Sequence, residues 1–143
     1  MIYKTEPENF ISRFEIVSCY VEHDGKILIL HRQNHKPQGN TWGLPAGKID
    51  DNEDKIEAML REIFEETGYK IDLSNLEYLD KVYVKYPEYS FIYHMFRLVI
   101  NSEPLIKINP EEHQDFKWVS PNEALSLELI QDLDECLKIS YNI

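Results

Sequence analysis

Glu62, Glu65 and Glu66 crowd the end of a helical segment that follows a glycine turn at Gly47, and their oxygen-only chemistry suits a hard divalent cation. A helix advances about 100° per residue, so the three carboxylates share an arc of about 100°. Ile56, Met59, Leu60, Ile63 and Thr67 fall on a separate arc, which lets the helix dock on a core while presenting acid elsewhere. Ala58 lies on the acid side, where its small side chain is expected to leave room for a ligand. The acids sit near the negative end of the helix dipole, at a cost of about 0.3–1 kcal/mol each. The Glu62/Glu66 pair adds about 0.2–0.5 kcal/mol of like-charge repulsion. A bound cation reverses both penalties, and Mg²⁺, with Mn²⁺ as the second option, fits carboxylates completed by water and phosphate.

The spacing is more specific than the charge. Gly47, five residues, Glu53, seven residues, then Arg61-Glu62-Ile63-x-Glu65-Glu66-x-Gly68-Tyr69 resembles the signature of the Nudix hydrolase superfamily. Tyr69 departs mildly, standing where that family usually has an aliphatic residue. The resemblance implies Mg²⁺-dependent hydrolysis of a pyrophosphate bond in a nucleoside diphosphate linked to another moiety. It implies Glu62, Glu65 and Glu66 as metal ligands, with the Gly47 carbonyl beside them. Glu53 is expected near the metals or in contact with Arg61. Arg61 is expected to organise Glu53 or Glu65, although Glu57 four residues before it offers a plain helix pair. The segment Glu111-Glu112-His113-Gln-Asp115-Phe-Lys-Trp118 resembles a loop that supplies a general base in similar enzymes. Glu112 is the first choice, with Glu111, Asp115 and Glu65 as rivals. Arg32 matches a position that contacts substrate phosphate in similar proteins. Trp42, Tyr83, Tyr86, Tyr89, Tyr93 and Phe96 are candidates for a base-stacking wall.

Substrate class is less sharply written. Tyr86 falls in the window where diadenosine polyphosphate hydrolases of this superfamily carry a tyrosine. The Leu44-Pro-Ala-Gly-Lys48 turn is common in ADP-ribose pyrophosphatases, but Val84 and Lys85 stand where those enzymes carry a marker proline. Nucleoside triphosphates or dinucleoside polyphosphates are therefore the preferred substrates, with ADP-ribose or a nucleotide sugar as the alternative. A non-catalytic nucleotide-binding module is the reading from another class, and such modules usually lose box acids, all of which are present here. Gly43-Leu-Pro-Ala-Gly47-Lys48-Ile49 is not a Walker motif, because one spacer residue is missing and Ile49 replaces the hydroxyl that would bind Mg²⁺.

The elements that must position these residues follow from patterning. Phe14–Val21 and Lys26–His31 flank Asp24-Gly25 as a hairpin, and Gln33–Thr41 reads as a loop. Asp50–Glu53 lead into the acid-bearing helix, which Gly68 ends. Further strands are expected at Leu76–Val84, Phe91–Ile100 and Phe116–Val119, then a helical tail from Ala124 to Leu137. Strands on both sides of a central helix make an α/β fold, and the resemblance implies a Nudix-type α/β/α sandwich with a mixed central sheet. One domain over residues 1–143 accommodates it. A net charge of −11 argues against nucleic acid polymers and anionic membranes as partners, leaving a small nucleotide. Cys19 and Cys136 are too far apart in sequence for a CxxC pair and read as inert thiols. With no leader pattern and no apolar run of spanning length, a cytoplasmic location is expected. A homodimer is an assembly that the resemblance allows.

Overall fold

The structure is a computed structural model that describes residues 1–143. Its strands are β1 (Ile2–Tyr3), β2 (Phe14–His23), β3 (Lys26–Arg32), β4 (Trp42–Gly43), β5 (Ala46–Lys48), β6 (Leu76–Lys85), β7 (Ser90–Val99) and β8 (His113–Val119). The helices are α1 (Lys55–Thr67), α2 (Pro121–Ala124) and α3 (Leu133–Tyr141). The sheet runs β1-β6-β7-β2-β3-β4, with β5 added to β2 and β8 to β3. It is mixed, because β2 and β7 run parallel from Phe14↔Phe91 to Glu22↔Val99 while the neighbouring pairs are antiparallel.

Period-two alternation sends side chains to two cores. Val17, Cys19, Val21, Leu28, Leu30, Phe96 and Leu98 pack on one face with Met59 and Ile63 of α1. Tyr20, Ile27, Ile29 and Met95 pack on the other with Leu133, Cys136 and Leu137 of α3. The α/β/α sandwich is thus present. Both cysteines are free and buried, so neither is a reactive surface thiol. No helix is long and apolar enough to cross a membrane.

The Asp24-Gly25 turn forms with φ of 53° and 77°, the positive pair that a tight hairpin requires. Yet β2 and β3 pair only at Glu22↔Ile27 and His23↔Lys26. Beyond that point they separate, and β5 enters the gap through Ile16↔Lys48, Val17↔Gly47 and Ser18↔Ala46. This insertion carries the glycine turn beneath α1.

Helix α1 starts with a reciprocal cap. Asp54 accepts from the Glu57 amide at 2.8 Å and Glu57 accepts from the Asp54 amide at 3.1 Å, worth about 1 kcal/mol. Glu57 is thereby spent at the N-terminus, which corrects the suggested Glu57–Arg61 pair. Gly68 ends the helix in the left-handed conformation, with φ of 71°. Ala58 is fully buried against the sheet, correcting its expected role as space for a ligand. Ile56 is exposed instead, so the docking face of α1 is rotated toward the acid stripe by comparison with the apolar arc.

The expected helical tail is also corrected. Residues 125–132 leave the helix because their backbone finds partners on β4: Glu128 accepts from the Trp42 amide and the Ile130 amide donates to the Trp42 carbonyl, both at 2.9 Å. Asp132, at φ of 69°, marks the restart. Strand β8 begins at His113, three residues before its expected start, because His113 reaches Arg32 across a bulge.

Candidate active site

Close packing of β5 against α1 builds the acid cluster. A Cβ placed on Gly47 would overlap the Glu62 carboxyl, so a residue with any side chain there would displace that group. Glu66 is held one residue earlier on the same strand, accepting from the Ala46 amide at 2.8 Å. Strand and helix are therefore tied together through the acids themselves.

Arg61 explains how so much negative charge is tolerated. Its Nε and Nη2 donate to both oxygens of Glu53 at 2.8 and 2.9 Å, the bidentate geometry for which guanidinium is shaped. Nη1 donates to Glu62 at 2.7 Å and to Glu65 at 3.3 Å, and Nη2 reaches the Lys48 carbonyl at 3.0 Å. Asp50 lies 3.4 Å away. Glu53 also accepts from the Asp50 amide at 2.9 Å. Arg61 hydrogen bonds first, then the Asp50 amide, hold the Glu53 carboxyl down at about 2. Burial pushes Glu62 above the ordinary carboxylate range despite Arg61. Glu66 goes well above that range, first through burial and then through the Glu62 charge.

Glu62, Glu65 and Glu66 line a cavity of about 830 Å³. Gly47, Arg32, Lys36, Glu112 and His113 belong to the same lining. Arg32 is braced by donating from Nε to the Pro37 carbonyl at 2.9 Å. Glu112 pairs with Lys36 at 3.0 Å, which anchors its carboxylate on the cavity wall. The rivals Glu111 and Asp115 are exposed outside the cavity, and Asp115 accepts from the Phe116 amide at 2.8 Å. Glu53 and Arg61 do not line the cavity. They stand behind the acids and fix them.

The same cavity has an aromatic lining of Phe14, Tyr86, Tyr89, Phe91 and Tyr93. Tyr86, Tyr89 and Tyr93 thus fall where a stacking wall is expected. Trp42 does not, and its expectation as a substrate contact is corrected. It is 8% exposed, stacked on the His31 ring at 4.3 Å, and fixed by backbone bonds to residues 128 and 130. Phe96 belongs to the α1-side core, and Tyr83 packs edge-on to Phe10 away from the cavity. β-strand alternation accounts for these exchanges: Tyr86 and Val84 face the chamber, whereas Tyr83 faces away.

Patterning missed several polar contributors, among them Arg13 and Gln131. Lys36 and Gln38 come from the loop before β4, His113 from the first residue of β8, and Asp132 from the irregular segment before α3. The Glu112-His113 dipeptide was visible, but nothing in it signalled that the imidazole would be 3% exposed with Nδ1 unpartnered. Burial, then the Arg32 charge, lowers its pKa to about 4.

The donor set suits a hard cation: carboxylate oxygens with a backbone turn packed against them and no competing sulfur or imidazole among the box acids. No three His, Cys, Asp or Glu side chains are spaced as a ready cage. Glu62 is turned onto Arg61 and Glu66 onto the Ala46 amide, yet burial still opposes charge on both.

A mixed sheet between helices, with an acid-bearing helix over a glycine strand at the mouth of a nucleotide-sized cavity, defines a phosphate-processing α/β hydrolase. The NUDIX domain family matches residues 13–138, and the chain belongs to that family. It is 30% identical over 117 residues to the CTP pyrophosphohydrolase of Escherichia coli (strain K12), covering 80% of this chain and 82% of the relative. The solution structure of the E. coli ORF135 protein is similar at a TM-score of 0.77 and 25% identity, over 96% of this chain and 94% of that one. A bifunctional NMN adenylyltransferase/ADP ribose pyrophosphatase from Francisella tularensis, complexed with AMP and a Mn ion, shares the fold at a TM-score of 0.72 and 24% identity. That likeness covers 94% of this chain and 42% of the larger one.

Proposed function

We propose that this hydrolase cleaves a phosphoanhydride bond of nucleoside triphosphates or dinucleoside polyphosphates with a divalent cation, Mg²⁺ or Mn²⁺, in the acid cluster. The observation that carries the reading is the single cavity joining Glu62, Glu65 and Glu66 to an aromatic chamber. The similarity to a CTP pyrophosphohydrolase supports placing triphosphates first.

Glu62, Glu65 and Glu66, with the Gly47 carbonyl, are the groups to hold the cation. When bound, it neutralises pyrophosphate charge and lowers the pKa of the attacking water. Arg32, braced by the Pro37 carbonyl, is placed to take a phosphate oxygen. Glu112 is the proposed acceptor of the water proton, its position set by Lys36, and Glu65 is the second choice. Arg61 and Glu53 act by positioning, since neither reaches the cavity. Tyr86, Tyr89 and Tyr93 supply faces for the base.

The test is a product screen across nucleoside triphosphates, dinucleoside polyphosphates, ADP-ribose and nucleotide sugars with Mg²⁺ or Mn²⁺, run on the wild type and Glu66→Gln. Gln keeps the size of the acid, and its carbonyl oxygen can still accept from the Ala46 amide. Turnover of triphosphates or dinucleoside polyphosphates, reduced about 10²-fold or more in the variant, is the expected result. Equal turnover in both proteins, or product only from ADP-ribose or nucleotide sugars, refutes the assignment. Nucleotide binding without any product returns the non-catalytic module.

A further inference from the structure

Gln38 stands in the left-handed backbone region, φ 54°, which side chains other than Asn, Asp and His rarely adopt. Two bonds hold it there: its carbonyl accepts from Thr41 Oγ1 at 2.7 Å, and its Oε1 accepts from the Gln131 amide at 2.8 Å. A backbone N–H can only donate, so the second bond fixes which end of the side-chain amide is oxygen. Nε2 therefore points elsewhere with two N–H groups, and no protein acceptor takes either of them. The residue lines the cavity.

The contacts around Gln38 lead one way to the acids and the other way to the aromatic lining. Two residues before it, Lys36 pairs with Glu112 at 3.0 Å, and the intervening Pro37 carbonyl braces Arg32. On its other side the bonded Gln131 is followed by Asp132, which is hydrogen-bonded to Tyr86. All of these groups line the same cavity. A nucleotide has the same order of phosphates, sugar and base. A substrate with its phosphates by Arg32 and its base on Tyr86 carries its sugar past Gln38.

We infer that Gln38 is a specificity-determining residue that recognises the cis-diol of ribose and so favours ribonucleotides over 2′-deoxyribonucleotides. The inference rests on the pyrophosphatase reading for the placement of phosphates and base. The two N–H groups of Nε2 match the two adjacent hydroxyl oxygens of the sugar, and loss of the 2′-hydroxyl leaves one N–H without its acceptor. A hydroxyl can also donate, unlike a phosphate oxygen or a base carbonyl. That difference gives a sugar contact its own chemical signature.

Wild type is expected to favour CTP over dCTP by about fivefold or more in kcat/KM. Gln38→Met keeps the length of the side chain but removes its donors, so that ratio should fall to about one. Gln38→Glu keeps an acceptor for the Gln131 amide and replaces Nε2 with a second acceptor, to which the diol can donate. The preference for CTP should therefore persist in Gln38→Glu, although the added charge raises KM for both nucleotides. An unchanged ratio in Gln38→Met overturns the inference. Loss of the preference in Gln38→Glu overturns it too, because the partner would then be an oxygen that only accepts. Calorimetry with Mg²⁺ and the α,β-methylene analogues of CTP and dCTP, which resist cleavage, separates this inference from the parent reading. Tighter binding of the ribose analogue that is lost in Gln38→Met supports sugar selection even if neither triphosphate is hydrolysed. Equal binding of the two analogues to wild type refutes it even if both triphosphates are.

Discussion

Replacing Arg61 with alanine removes one guanidinium from four carboxylates, and the structure allows its effect to be apportioned. Glu65 and Asp50 are 54% and 66% exposed at the side chain, so their contacts contribute only about 0–0.5 kcal/mol each. The Lys48 carbonyl bond contributes about 1 kcal/mol. The bond to Glu53 is the largest contribution, because it is bidentate and its side chains are only 27% and 15% exposed. A fully buried pair broken on one side costs about 3–5 kcal/mol, and solvent access discounts this one to about 2 kcal/mol. The Glu62 bond, at 2.7 Å to a side chain 12% exposed, adds about 1.5 kcal/mol. Total destabilisation of Arg61→Ala should therefore be about 5 kcal/mol, read as a lower urea midpoint at unchanged slope.

The same substitution frees Glu53 to titrate near its ordinary value. In wild type the depressed Glu53 pKa contributes stability that is present above the unfolded carboxylate range and lost as pH falls toward about 2. Arg61→Ala should lack that acid limb. A double-mutant cycle of Arg61→Ala with Glu53→Gln should give a coupling of about 2 kcal/mol. Arg61→Lys should recover only part of it, since an ammonium cannot match the bidentate fork. A coupling near zero, or full recovery by lysine, would refute Arg61 as the geometric centre of the cluster.

Gly47→Ala should separate folding from function: the added Cβ pushes the Glu62 carboxyl off β5, so nucleotide hydrolysis should fall while far-UV circular dichroism stays that of the wild type, and wild-type turnover would show that Glu62 has no required seat there. His113 provides a pH test. With its folded pKa lowered to about 4 while the unfolded imidazole titrates near 6.5, the unfolded state binds the extra proton between those values, so stability falls as pH drops through that window. His113→Gln should flatten that part of the stability curve by about one proton's slope, measured by urea unfolding at successive pH values.

Much of the chemistry was legible because it lies close together in sequence. The residues from Gly47 to Gly68 span one turn and one helix, so local periodicity alone placed Glu62, Glu65 and Glu66 on a common face and ended α1 at Gly68. Local pattern misjudged where that helix meets the sheet. Ala58 became core and Ile56 became surface because β5 approaches the acid side closely enough to contact Glu62. It also misjudged Trp42 and the tail, whose mutual backbone bonds form across more than eighty residues of chain.

The sequence by itself determined the acid helix, its stop, the alternating strands and the family that these define. Only the tertiary structure decided which groups share the cavity. The parting of β2 and β3 admits β5 and seats Gly47 under Glu62, the loop before β4 brings Lys36 to Glu112, and the restart at Asp132 brings a carboxylate beside Tyr86 in the cavity lining. The physical reason is that helix and strand periodicity depend on neighbours a few residues apart. Cavity lining depends on where distant backbones satisfy their hydrogen bonds, which no single segment encodes.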